Sequence, residues 1–169
     1  MERGDLTVDR LIDLELIKQL KARYFRLMDR KDWDAFPDLF TEDCRHYPDV
    51  HPGDHTPFPS RDTDGTQPFT ANDAYFPMMK AALTQGVTTH HGHMPEITCL
   101  SDTEAEGIWT LFNYIQVSAP RRICTMVYSH YFETYRKCDD GKWRISSKRN
   151  HWLRLDQVPW TLPEPSSDS

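Results

Sequence analysis

Between Thr7 and Lys31, Leu11, Leu14, Ile17, Leu20, Tyr24 and Leu27 recur every three or four positions with polar residues between them. That spacing predicts a long helix with one apolar face. Thr7 stands ahead of Asp9 and Asp13, so a hydroxyl can cap the first turn and acids favour the positive end of the dipole. A short second helix is expected over residues 33–40 behind Asp32 as cap, held to a turn or two by Pro37. Residues 44–47 read as a short strand. Residues 48–68 are dense in Pro, Asp and Gly and read as a long loop, the kind that serves as a lid or binding loop. A further helix is expected over residues 72–83, ended by Gly86.

After Gly86 the pattern changes. Residues 87–100, 105–117, 123–138 and 142–155 are rich in β-branched and aromatic side chains, and the turn clusters SDTE, SAPRR and DDGK separate them. Four strands in hairpin succession after N-terminal helices predict an α+β domain with helices on one face of a mostly antiparallel sheet. The strand 105–117 is apolar on both faces, with Ile108, Phe112 and Tyr114 opposite Trp109, Leu111 and Ile115. One face is expected to meet the helices and the other a second subunit. Residues 1–157 are read as one domain, and 158–169 as a Pro- and Ser-rich tail.

The chain has 169 residues, enough for one domain with a real core. Its net charge of −6 argues against nucleic acid as a partner. No apolar run is long enough to span a bilayer, and the start MERGDLTVDR is too polar for a signal peptide. Cys44, Cys99, Cys124 and Cys138 form no CxxC pair and read as reduced thiols of a cytoplasmic protein. Eight histidines and an aromatic content of 12% suit a pocket for a small, partly apolar molecule, although most aromatics in a small domain fill the core.

Three segments carry a family resemblance: LMDRKDWDAFPDLFTED at the end of the first helix, TTHHGHMPEI, and the hairpin YFETYRKCDDGKWRI. Together, over about residues 11–155, they resemble the SnoaL-like branch of the nuclear-transport-factor-2-like superfamily. The resemblance implies a cone: a strongly curved mixed sheet around N-terminal helices, with a deep pocket at the open end. Members of that branch, including scytalone dehydratase, hexachlorocyclohexane dehydrochlorinase and bile-acid 7α-dehydratase, share an aspartate late in the first helix and a histidine opening a central strand. These positions are Asp29 and His90 here, with Gly92 two residues beyond. The resemblance also points to Tyr24, five residues before the aspartate, to Arg149 in the segment Ser147–Asn150, and to Tyr47 on the first strand. Met28 and Tyr131 replace a tyrosine and an asparagine of scytalone dehydratase, which argues against scytalone as the substrate. No cofactor is implied, and the branch implies self-association, as a trimer in preference to a dimer.

An imidazole titrates near neutrality, and a carboxylate beside it fixes its tautomer and stabilises its protonated form. His90 is therefore the expected general base, with Asp29 orienting it. Tyr24 would donate to a substrate oxygen, and Arg149 would stabilise negative charge. The expected chemistry is an elimination from a small hydroxylated aromatic or alicyclic molecule: dehydration or retro-aldol cleavage. Double-bond isomerisation by the same dyad and a non-catalytic binding or assembly module are the alternatives. Tyr24 and Asp29 are roughly 140° apart on a helix, so they would flank one pocket without sharing a face. Trp143, Ile145 and Arg149 share a parity along the last strand, which would turn Arg149 inward if no bulge intervenes. Phe25, Met94, Trp109, Tyr128, His130 and Tyr131 join Tyr47 as candidates for the pocket wall, with core packing as the competing reading. Trp33 is read as structural. His91 and His93 form an HxH pair without further ligand spacing, so no metal site is expected, and they are placed on the outer sheet face or at a subunit contact.

Overall fold

In the computed structural model, residues 7–51, 69–117 and 123–159 are described. The first helix, α1 (Val8–Arg30), begins at Thr7, whose Oγ1 accepts a hydrogen bond from the Arg10 amide at 3.2 Å. It ends at Lys31, which takes the left-handed conformation (φ 61°) so that its amide and that of Asp32 close back on Met28 and Leu27. The buried face is Asp13, Ile17, Leu20, Lys21, Tyr24, Leu27 and Met28. Leu11 lies outside it at 52% exposure. Two charged residues thus occupy the inner face, and the sheet answers both. Asp13 accepts from Trp143 Nε1 at 2.8 Å and Lys137 Nζ at 2.9 Å, and Lys21 pairs with Glu133 in the interior.

The expected second helix is a single 3-10 turn, Phe36–Leu39. Pro37 suits the start of that turn, and Phe40 already belongs to the sheet. β1 (Phe40–His46) therefore begins earlier than the sequence pattern indicated. α2 (Asn72–Leu83) matches its expectation. It leads into β2 (Gly86–Gly92), followed by β3 (Glu96–Cys99), β4 (Glu104–Val117), β5 (Ile123–Lys137) and β6 (Trp143–Pro159). The single strand expected over 87–100 is thus two. Pro95 has no amide to give the ladder, so pairing lapses around it, although the His93 amide still reaches the Thr110 carbonyl at 2.9 Å. At the other end Val158 and Pro159 belong to β6, paired with Cys124 and Ile123, so the tail begins later than 158. Most of the 48–68 loop and the remainder of the tail lie outside the described residues.

The sheet runs β1-β6-β5-β4-β2, with β3 also on β4, and only the β1–β6 pair is parallel. It is an open sheet: β1 and β2 are its two edges and do not meet. Among the described residues the sheet does not close into a barrel, and β1's outer edge is satisfied otherwise. His46 exchanges both backbone hydrogen bonds with Thr70, and Asn72 Nδ2 donates to the Thr41 and Glu42 carbonyls at 2.7 and 3.2 Å. Two bulges mark β6. Ser146 and Leu153 have no partner in the β5 register, and each reverses which side chains face the helices.

The core joins the inner face of α1 to Phe36, Phe40, Trp109, Leu111, Tyr131, Tyr135, Trp143 and Ile145. Each fully enclosed aliphatic such as Ile17 or Leu20 contributes about 1.5–3 kcal/mol. Trp109 Nε1 donates to Tyr135 Oη at 2.7 Å, which donates to Glu133 Oε2 at 2.7 Å, completing the polar chain that starts at Lys21.

Candidate active site

Asp29 lies in the last turn of α1 and His90 on the inward side of β2, the sheet edge that passes that turn. His90 Nδ1 lies 2.6 Å from Asp29 Oδ1, and the His90 amide donates to Oδ2 at 2.9 Å. Thr88, two residues back on the same face, donates to Oδ1 at 2.8 Å. Lys31 Nζ is 2.5 Å from Thr88 Oγ1. An ammonium can only donate, so Thr88 must accept from Lys31 and spend its own hydrogen on Asp29.

Burial raises the Asp29 pKa, but the hydrogen bonds from the His90 ring and backbone and from Thr88 outweigh it and hold the carboxyl below its usual range. A carboxylate accepts and cannot donate, so Nδ1 carries the hydrogen and Nε2 keeps its lone pair. Burial lowers the His90 pKa; Asp29 opposes this, while Lys21 and Lys148 add to it. The imidazole is therefore neutral at neutral pH, with the tautomer that a base needs. Its ring is backed by Phe25, stacked at 5.9 Å between centroids and 13° between planes. That approach depends on Gly92, where a Cβ would sit 2.4 Å from Phe25 Cε2.

His90 lines a cavity of about 370 Å³ between the helices and the sheet. Tyr24 and Met28 from α1 contribute to its wall, as do Tyr75 and Met79 from α2. Asn113, Val127 and Tyr131 line it from the central strands, and Lys148, Asn150 and Trp152 from β6. Tyr24 is fully buried, and among the described residues its hydroxyl has no hydrogen-bond partner of ordinary length. Burial, with Tyr131, Tyr75 and Glu133 adding, raises its pKa far enough to keep the hydroxyl protonated, hence a donor. Beneath the floor, the Lys21 ammonium sits 4.1 Å from the ring centroids of both Tyr24 and Tyr131. Burial pulls the Lys21 pKa down to about 8 against the pull of Glu133.

The structure brings together His90, Tyr24, Tyr47 and Tyr131 at one cavity, with Asp29 held against His90 outside its lining. The 140° between Tyr24 and Asp29 is bridged by His90, which reaches Asp29 on one side and the cavity on the other. Phe25 stands behind the histidine instead of lining the cavity. The parity argument for Arg149 fails, because the bulge at Ser146 reverses the alternation and turns Lys148, Asn150 and Trp152 inward. Arg149 instead lays its guanidinium 4.7 Å from the Tyr47 ring centroid. Met94 does not reach the cavity: beside the break at Pro95 it is 92% exposed. Trp109 is held in the core by Tyr135. Tyr128 and His130 point from the opposite face of β5, beside Phe112 and Phe132 respectively. His91 packs on Phe112 on that same outer face. Trp33 donates from Nε1 to Thr84 and packs against the core.

The sequence reading missed His46, Asn113, Lys148 and Asn150. His46 stacks on Tyr75 at 3.6 Å, and Asn72, oriented by its two donated bonds, offers its Oδ1 to His46 Nε2 at 2.7 Å. Burial pulls the His46 pKa down to about 4. Lys148 is the cation of the cavity. Burial works against its charge, but Tyr75, Tyr131, Asp49 and Glu133 outweigh it and keep the ammonium protonated. Lys148 precedes Arg149 in the segment singled out by sequence, and only the bulge decides between them.

Two helices on a mixed, mostly antiparallel six-stranded sheet, with a largely apolar cavity carrying a few polar groups between them, define an α+β fold of the nuclear-transport-factor-2-like type. The chain matches the SnoaL-like domain over residues 9–149 and belongs to that family. A scytalone dehydratase candidate from Novosphingobium aromaticivorans superposes with a TM-score of 0.72 at 19% identity, covering 97% of this chain and 99% of that one. Hexachlorocyclohexane dehydrochlorinase LinA-type3 from Novosphingobium barchaimii does so with a TM-score of 0.69 at 12% identity, covering 92% and 99%. An aromatic ring hydroxylase candidate from Novosphingobium aromaticivorans gives 0.68 at 17% identity, covering 88% and 94%. At these identities the likeness is one of fold. Among the described residues, no helix is long and apolar enough to cross a membrane.

Proposed function

We propose that the protein is a lyase that needs no cofactor and removes the elements of water, or a small carbonyl fragment, from a small hydroxylated aromatic or alicyclic molecule. The observation that carries this reading is the His90–Asp29 contact at the cavity wall, which leaves Nε2 as the basic atom. In a dehydration, Nε2 takes a proton from carbon, the C–H electrons form the new double bond, and the C–O bond breaks. The imidazolium then returns the proton to the departing hydroxyl, so water leaves and the site is restored. Asp29 stabilises the imidazolium in between. Tyr24 donates to a substrate oxygen conjugated with the carbon losing its proton. Lys148 takes the charge-stabilising role that the family resemblance gave to Arg149.

The names of two structural neighbours, a dehydratase candidate and a dehydrochlorinase, both denote eliminations and are consistent with this chemistry. Self-association, as a trimer or a dimer, would cover the outer sheet face that carries Phe112 and the half-exposed Tyr128.

The test is mass-resolved turnover of a panel of hydroxylated aromatic and alicyclic compounds, with chelator present and no cofactor added. Loss of water or of a carbonyl fragment supports the lyase. Turnover at unchanged mass would make the protein an isomerase.

A further inference from the structure

Lys148 is a buried cation that touches no carboxylate among the described residues, although Asp49 and Glu133 act on it from a distance. The residue is 8% exposed and lines the cavity, and among the described residues its Nζ makes one hydrogen bond, to Tyr75 Oη at 3.2 Å. Among the described residues no carboxylate comes within salt-bridge distance of it. Glu133 is engaged by Lys21 and Tyr135, and Asp49 stands at the cavity rim. The ammonium is framed instead by rings, with the centroids of Tyr131, Tyr75 and Tyr24 at 4.6, 5.5 and 5.8 Å. Ring faces stabilise a cation without neutralising it. A buried charge is ordinarily paired, because its lost hydration costs several kcal/mol. Two buried groups on the same cavity wall are of the opposite kind: among the described residues the side-chain carbonyls of Asn113 and Asn150 are acceptors that find no donor.

The geometry points to a substrate that is an organic acid ionised at neutral pH, its oxyanion paired with Lys148 and its hydroxyl groups donating to Asn113 and Asn150. This rests on the cavity being the reaction site proposed above, and it names the class of molecule that site takes. Two chemistries supply such an oxyanion: a carboxylate, and the acidic enol of a 1,3-dicarbonyl. Both place the anion in conjugation with a carbon that can lose a proton, so charge arriving from that carbon in the reaction flows toward Lys148.

The experiment is ligand-observed NMR titration of matched pairs on the intact protein: mandelate against mandelamide, salicylate against salicylamide, and 1,3-cyclohexanedione against 3-hydroxycyclohexanone. Wild type is compared with Lys148→Met and Lys148→Arg. On wild type alone, at least one anion class is expected to bind about tenfold or more tightly than its neutral partner, the value of a charge-assisted bond. That preference falls below about threefold in Lys148→Met and survives in Lys148→Arg. Preference for the carboxylates alone, or for the dione alone, identifies the acid. Neutral partners binding as tightly as the anions to wild type would overturn the proposal, as would a preference that survives in a folded Lys148→Met, or no anion binding at all. Lys148-dependent anion binding without turnover of any bound acid would remove the lyase reading and leave this inference standing. Undiminished turnover of neutral compounds by Lys148→Met would overturn this inference together with the charge-stabilising role given to Lys148, and leave the His90–Asp29 elimination standing.

Discussion

Asp29→Asn isolates the tautomer argument, because it changes the electronic character of the site at almost constant shape. Asp29 accepts three hydrogen bonds: from His90 Nδ1 at 2.6 Å, from the His90 amide at 2.9 Å and from Thr88 at 2.8 Å. The first and third meet at Oδ1 and the second at Oδ2. An asparagine has one acceptor oxygen and one donor nitrogen, so it cannot serve both sides. With its oxygen toward the backbone amide, its NH₂ faces His90 Nδ1 and forces the ring hydrogen onto Nε2, which removes the base. With its oxygen toward Nδ1, the NH₂ confronts a backbone N–H, and a buried donor is left without an acceptor. Breaking one charge-assisted bond of this set costs about 2 kcal/mol of stability. Relocating the proton costs the base its function, a loss of about 10²–10⁴ in rate. The assay is two-part: ¹⁵N chemical shifts of the His90 ring nitrogens, which need no substrate, and kcat on any compound the wild type converts. In wild type the shifts should show Nδ1–H and bare Nε2; in the variant they should show Nε2–H or a mixture. An unchanged tautomer together with lost activity would refute this reasoning, and so would a changed tautomer with full activity.

Gly92→Ala would place a methyl 2.4 Å from Phe25 Cε2 and 2.9 Å from Cζ, so the ring behind His90 must move. A shift of that size at His90 lowers kcat/KM by roughly 10²-fold, and Phe25→Ala in the same chain restores part of it; steady-state kinetics on both variants decide it. Lys21→Met leaves Glu133 charged in the interior and should cost about 3–5 kcal/mol in urea unfolding. Adding Glu133→Gln, which still offers Tyr135 an acceptor, should recover most of that loss. Because the folded His46 pKa is depressed to about 4 from 6.5, the unfolded chain takes up this proton first as pH falls. His46 stabilisation is therefore complete above pH 6.5 and declines to pH 4, by up to about 3 kcal/mol, and urea unfolding of His46→Gln should lack that slope. In kcat/KM the sign is the same for a different reason: activity rises with pH as His90 loses its proton, with a midpoint below the ordinary 6.5.

What was legible in the sequence followed periodicity and chemistry that are local. The apolar spacing of α1, the Thr7 cap, the boundaries of α2 and the DDGK turn between β5 and β6 all depend on near neighbours. The structure places them where the pattern did. The approach of Asp29 to His90 is not local, and it was reached through the family resemblance: no spacing links a helix end to a strand some sixty residues later. Errors fell where one residue changes the count. Pro95 split a strand and left Met94 in solvent, and the bulge at Ser146 reversed a strand's faces and exchanged Arg149 for Lys148. A bulge leaves almost no mark in composition, since Ser146 and Ser147 suit either face. Polar residues on the inner face of α1 were equally opaque. Asp13 and Lys21 look like interruptions of an apolar stripe until β5 and β6 supply Lys137, Trp143 and Glu133 as partners.

The central claim is that His90 Nε2 moves a proton from carbon in this cavity. The most direct measurement takes the first compound the wild type converts, deuterated at the carbon that loses its proton, and compares turnover by wild type and His90→Ala at saturating concentration. A primary isotope effect in the wild type, together with a fall of at least about 10² in the variant, is the predicted result. Turnover by a folded His90→Ala at the wild-type rate would contradict it.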